Sequence, residues 1–263
     1  MTYFTIALTI ESIGNGPPLL LLPDKGYGPW MWREQARVLS DHFRLFMPDF
    51  SDLHVAGNSV ETLTVKHLAD QLAVDLDQFG AVPVHVVGVG FGGLLAMELA
   101  KEHPEMIGKL VLCNTSCTDM EGGYTSDVLA LLFKQGAEAA PSIQESITQL
   151  ELYPHRDKGL IERVQDLKGD LPSKADYQRQ LLAEAGYHPG DLGRIWADTL
   201  ILQSADNKII DPAEGRKLQA AIPGAVLKEL DYTGHLVTLT DPGRVTHAIM
   251  GFILDQGTME KTS

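Results

Sequence analysis

Short apolar runs punctuate the chain, and amphipathic stretches separate them. Pro18–Pro23 (PLLLLP), Phe43–Met47 (FRLFM), Val84–Val89 (VHVVGV) and Lys109–Cys113 (KLVLC) are mostly apolar and lie between turn formers. Thr199–Leu202 (TLIL) and Ala225–Leu230 (AVLKEL) add two more. Runs of this length without polar alternation suit parallel strands covered on both faces. Tyr3–Ile10 alternates instead, which predicts an antiparallel edge hairpin ahead of the first parallel strand. Helical spacing marks Trp30–Leu39, Thr62–Phe79, Phe91–Glu102, Pro212–Ala221 and Arg244–Leu254. In the second of these, Leu63, Leu68, Leu72, Leu76 and Phe79 fall on one face. Strands alternating with helices predict an α/β fold: a mostly parallel sheet of about eight strands with helices on both faces.

The rhythm breaks between Asp119 and Leu192. No strand is legible there, and Ser126–Gly136, Ser142–Leu152, Lys158–Leu167 and Lys174–Ala185 read as short helices. The expected organisation is a core domain of residues 1–118 and 193–263, with a helical cap, residues 119–192, inserted after the sixth strand. Ligands of such sheets bind outside the carboxyl ends of the strands, which places a site beneath that cap.

One segment carries the most chemistry. In His85-Val86-Val87-Gly88-Val89-Gly90-Phe91-Gly92-Gly93 a strand ends, a glycine-rich turn follows and a helix begins. The segment resembles the nucleophile elbow of the α/β-hydrolase fold, Gly-x-Ser-x-Gly. Pro104–Leu112 resembles the family's link from the elbow helix to the next strand, and Thr199–Asp206 the strand that delivers the catalytic acid. Gly234-His235-Leu236, ahead of Asp241-Pro242, resembles the histidine loop. The order of elbow, acid and histidine is the family's order. The resemblance implies His235 and Asp206 as a catalytic histidine–carboxylate pair, with Gly90 and Phe91 at the elbow and oxyanion site.

Three departures accompany the likeness. Gly90 stands where the nucleophilic serine belongs. The loop after Leu22, usually His-Gly, reads Pro23-Asp24-Lys25-Gly26, and the turn after Pro48-Asp49 lacks the family's glycines. An engineered inactivation would change Gly90 alone, so the other two departures point to natural divergence. Without an elbow serine the covalent mechanism cannot run. A histidine held by a carboxylate remains a competent acid or base, and the Phe91 N–H at a helix start remains an oxyanion donor. Asp24 and Lys25 occupy the oxyanion loop. Trp30 and Cys117 are candidates for the substrate pocket. Restoring serine at position 90 is expected to recover weak esterase activity.

Composition narrows the partners. The chain has 263 residues, with 21 Lys+Arg against 35 Asp+Glu, a net charge of −14. That balance disfavours nucleic acid and anionic membrane surfaces. Two cysteines, Cys113 and Cys117, cannot build a disulfide framework and read as free thiols. No Cys/His cluster has zinc spacing, so neither metal nor cofactor is expected. No secretory signal and no membrane-length apolar run is legible, which makes the cytoplasm the default. A homodimer is left open.

The expected function is a cofactor-free enzyme acting on a small, partly apolar molecule by His/Asp acid–base catalysis. Lyase, decarboxylase, isomerase, cyclase or water-activating hydrolase chemistry would suit it. The alternatives are a non-catalytic member of the fold that keeps the pocket for binding or as a scaffold, and a serine hydrolase inactivated by an engineered Ser-to-Gly change at position 90.

Overall fold

A computed structural model of the chain describes residues 5–50, 54–56, 63–126, 141–155, 157–168 and 174–255. In chain order the elements open with β1 (Thr5–Ala7), β2 (Ile10–Ile13), β3 (Pro18–Leu22), α1 (Arg33–Leu39), β4 (Arg44–Pro48) and β5 (His54–Ala56). Then come α2 (Val65–Gln78), β6 (Val84–Val89), α3 (Phe91–Glu102) and β7 (Ile107–Cys113). The described part of the long helical stretch contains α4 (Met120–Gly123), α5 (Pro141–Leu152), α6 (Lys158–Lys168) and α7 (Lys174–Ala185). The chain returns through β8 (Asp198–Ser204), α8 (Glu214–Ala221), β9 (Val226–Leu230), α9 (Val237–Thr240) and α10 (Pro242–Leu254). Most of the expected helix Ser126–Gly136 lies outside the described residues.

Seven strands form the main sheet in the order β2-β4-β3-β6-β7-β8-β9. All neighbours pair in parallel except β2 with β4. The N-terminal hairpin does not form. β1 pairs antiparallel with the unforeseen β5, and β2 joins the sheet edge through β4. Within that stretch, Thr5–Ala7 and Ile10 are both extended, but they pair with different strands. Among the described residues seven strands, not six, precede the long helical stretch.

The uninterrupted apolar runs now have a reason. Leu20 and Leu22 of β3 point into one core with Val84 and Val86 of β6, Leu110 and Leu112 of β7, and the helices α2 and α3. Leu19 and Leu21 point into the other, with Val87, Val89, Val111, Cys113, α1 and α10. A strand buried on both faces has no position left for a polar side chain. Helix starts follow local chemistry: Thr64 accepts the His67 N–H ahead of α2, and Asp241 accepts the Arg244 N–H ahead of α10. These two cores clamp β3, β6, β7 and β8, so the loops at their carboxyl ends spring from fixed points.

Candidate active site

Loops following β3, β6, β8 and β9 converge on one buried point. Between β6 and α3 the chain reverses at Gly90, with φ 52° and ψ −117°. That region is open to glycine and strained for other residues. Gly88 is held just as tightly, since a Cβ there would lie 2.7 Å from the Gly93 Cα. The sharp turn is therefore fully built, and no nucleophilic side chain stands on it.

The Asp24 carboxylate occupies the place that side chain would take. A Cβ on Gly90 would lie 2.6 Å from Asp24 Cγ and would also collide with Oδ1. Asp24 Oδ1 accepts the N–H of Phe91 at 2.8 Å and the N–H of Lys25 at 2.8 Å. The other oxygen, Oδ2, lies 3.0 Å from His235 Nε2. Two convergent backbone N–H groups beside such a turn are the donors that stabilise an oxyanion. Here both are already satisfied by a side chain of the same molecule. A serine at position 90 fits this arrangement only if the Asp24 carboxylate shifts, so the expected gain of esterase activity depends on that shift.

Burial by itself would raise the Asp24 carboxyl. The Lys25 ammonium, the His235 hydrogen bond and the Phe91 N–H outweigh burial and hold it well below the usual carboxylate range. Asp24 is thus an anion in the resting protein, 1% exposed.

The histidine's other face departs from expectation as well. Asp206 does not reach His235; it accepts the Tyr232 N–H instead. The neighbour of His235 Nδ1 is the Asn207 amide nitrogen, at 3.2 Å. The Asn207 orientation is fixed because its Oδ1 accepts the N–H groups of Ile209 and Ile210, at 2.9 and 3.1 Å. Its NH₂ must therefore donate to Nδ1, which leaves the ring proton on Nε2, pointing at Asp24. A hydrolytic triad has the reverse arrangement, with a carboxylate on Nδ1 and a lone pair on Nε2. In this geometry His235 donates at Nε2 and cannot take a proton there.

This frame matches known proteins along most of its length. The model of the Alpha/beta hydrolase family matches residues 19–248. The chain belongs to the alpha/beta hydrolase family. A relative from Agrobacterium fabrum named "Putative carbamate hydrolase RutD" is 26% identical over 91% of this chain and 94% of its own. A protein of the same name from Caulobacter sp. (strain K31) is 29% identical over 84% and 85%. Among solved structures, the enol-lactonase of Burkholderia xenovorans LB400 superposes with a TM-score of 0.82 at 22% identity, covering 94% of this chain and 96% of that one. These relatives and neighbours carry hydrolase-type names, so the chain is a hydrolase-family protein by descent and by fold.

Within the family frame, a charged cluster extends from Asp24 towards the helical insertion. The Lys25 ammonium lies 3.8 Å from Asp24 Oδ1 and 3.3 Å from Glu184 Oε2 in α7, and donates to the Tyr124 hydroxyl at 3.0 Å. Tyr124 donates in turn to Glu184 Oε1. Burial would discharge Lys25, but Asp24 and Glu184 more than offset it and keep the amine strongly basic. Burial raises the Glu184 carboxyl, and the Lys25 charge only partly opposes that. The same loop is tied to the insertion twice more. Gly26 N–H donates to Gln180, and the Tyr27 hydroxyl donates to Glu151, each at 2.9 Å.

Beside this cluster lies a small cavity lined by Gly90, Thr115, Ser116, Tyr124, Glu184 and Tyr187 among others. Its free space is about 10 Å³, enough for roughly one water. Neither Trp30 nor Cys117 lines it. Trp30 packs on Tyr27 with ring centroids 5.2 Å apart, and the Cys117 N–H ties its loop to Glu214. Both thiols are pushed up to about 12, by burial first and, for Cys117, by Glu214 as well, so neither is a ready nucleophile. Among the described residues no group of His, Cys, Asp or Glu could hold a metal ion, and no helix is long and apolar enough to cross a membrane.

The structure thus brings Asp24, Lys25, Gly90, Phe91 and His235 together and leaves Asp206, Trp30 and Cys117 outside. Reading the sequence missed Asn207, one residue beyond the expected acid. It also missed Asn114, whose amide donates to the carbonyls of Gly234 and His235 at 2.9 and 2.7 Å and so pins the histidine loop to the end of β7. Glu184 and Tyr124 gave no signal, because a glutamate on a polar helix looks like any solvated face.

Proposed function

We propose that this chain is a cofactor-free enzyme that moves protons on a small, partly apolar molecule and forms no serine-bound intermediate. One observation carries the reading. Glu184 and Tyr124 face the cavity at the head of a continuous polar chain, Tyr124–Glu184–Lys25–Asp24–His235. Buried charge is costly, and a retired pocket has no physical need of it. Burial raises the Glu184 carboxyl, which makes it a better proton donor and acceptor than an ordinary, fully ionised one. In this reading Glu184 and Tyr124 exchange protons with the ligand. Lys25 holds the local charge balance, and the Asp24–His235 pair anchors Lys25 from behind. The reaction class is elimination, decarboxylation, isomerisation, cyclisation or attack by a water held in the cavity. Residues 119–192 act as the cap that supplies Glu184 and Tyr124, over a core of 1–118 and 193–263. The partner is a small molecule.

A second reading is favoured by a different observation: the oxyanion donors are occupied, and the remaining space holds about one water. That arrangement suits a non-catalytic member of the family whose pocket opens only to bind.

Small carbamates, chosen because the RutD relatives bear that name, and small esters form the first panel. The protein is pretreated with a fluorophosphonate before assay. The proposal expects turnover that survives the probe, no phosphonylated serine, and a fall in kcat of about 100-fold or more in Glu184→Gln. Turnover abolished in step with stoichiometric serine labelling overturns it. A ligand that binds and is always recovered unchanged selects the second reading.

A further inference from the structure

We propose that the oxyanion hole of this chain is a carboxylate-binding site whose resident ligand is its own Asp24 side chain. Removing that side chain would hand the site to a free carboxylate of formate or acetate size. The inference concerns what fills the hole and holds whether or not the cavity turns over a substrate.

Four groups converge on one buried carboxylate. The N–H groups of Phe91 and Lys25 meet on Oδ1 at 2.8 Å each, His235 Nε2 meets Oδ2 at 3.0 Å, and the Lys25 ammonium stands 3.8 Å from Oδ1. Phe91 opens a helix of 12 residues, so its N–H carries the favourable end of the helix dipole. The hole is thus built for an anion, and an anion is in it. The space for that anion comes from the missing side chain at Gly90, where a Cβ would lie 2.6 Å from Asp24 Cγ.

Chemistry fixes the ligand class. The Asp side chain beyond Cα is CH₂–COO⁻, so acetate reproduces it atom for atom and formate reproduces its carboxylate. A longer acid needs space beyond the 10 Å³ or so left in the cavity. Tethering gives Asp24 a decisive advantage over any free carboxylate, so the intact protein does not exchange it.

The full chain carrying Asp24→Gly is compared with wild type by thermal unfolding in sodium acetate, formate or butyrate. Sodium chloride of equal ionic strength is the reference. The expected result is a saturable rise in Tm of at least about 3 °C for the variant in acetate and formate. Butyrate does not produce it, and neither does any carboxylate on wild type. Asp24→Asn, which keeps an oxygen in the hole, also gives no acetate response. If Asp24→Gly is unfolded in chloride, recovery of its folded circular-dichroism signal in acetate is the same expected result. Equal behaviour of the Asp24→Gly chain in acetate and chloride, folded or unfolded, overturns the proposal. So does an equal acetate response in wild type.

Discussion

The strand–turn–helix at residues 88–93 and the loop at residues 23–27 face each other across the site, and they contribute to it in opposite ways. The first supplies a sharp turn and the Phe91 N–H, with no side chain at position 90. The second supplies the Asp24 carboxylate to the space beside that turn. Gly90 keeps the strained turn and the Phe91 donor, while Asp24 delivers a carboxylate into the space Gly90 leaves open. The two positions are packed against each other. A serine at 90 would require the Asp24 carboxylate to shift.

The sharpest way to break this comparison is to restore one side of it. Gly90→Ser places a side chain against Asp24 and a non-glycine residue at φ 52°, and is expected to cost roughly 2–4 kcal/mol. It should take no fluorophosphonate label. Adding Asp24→Gly removes the clash, so the double variant should be more stable than the two single changes imply by roughly 1–3 kcal/mol. Urea unfolding of the four proteins measures that coupling. Strict additivity would separate the two positions and end the matched-pair account.

The two carboxyls of the cluster give a smaller effect with opposite signs. The folded Asp24 carboxyl is held low, so its contribution is present above the ordinary carboxylate pKa of about 3.9 and is lost as pH falls towards the folded value. Glu184 is raised by burial, so its contribution is full below its ordinary value of about 4.3 and is lost as pH rises through the folded one. Glu184→Gln cannot ionise. Wild type should therefore lose Tm relative to Glu184→Gln as pH climbs from acid to neutral. A constant difference between the two across that range would contradict the raised carboxyl.

The smallest effect is expected at the residue the sequence singled out as the acid. Asp206→Asn keeps an oxygen for the Tyr232 N–H and has no contact with His235, so its stability should change by no more than about 0.5 kcal/mol. Equilibrium unfolding checks this, and a loss several times larger would return Asp206 to the site.

Much of the fold was legible because its signals are local and repeated. Leu19–Leu22 and Val84–Val89 are apolar without alternation, and only burial on both faces explains that. Phe91–Glu102 was readable to the residue because a glycine turn opens it. β5 was not legible, since three residues, His54–Ala56, are too few for a period to show. The site was legible where a motif fixes a backbone, at Gly90, Phe91 and His235. It was not legible where geometry chooses between neighbours. Asp206 and Asn207 are adjacent in sequence, and only the turn after β8 decides which one faces the histidine. Asp24 could be placed in the oxyanion loop, but its direction depends on the volume left by Gly90, sixty-six residues further along the chain.

The central claim is that Asp24 stands in the elbow and turns His235 into a donor at Nε2. Nitrogen-15 NMR of the His235 ring in the wild-type protein tests it most directly. The account predicts a bare, accepting Nδ1 beside Asn207 and a protonated Nε2 hydrogen-bonded to Asp24, with the Nε2 signal moving in Asp24→Asn. A proton found on Nδ1, with Nε2 bare and indifferent to Asp24→Asn, would contradict it.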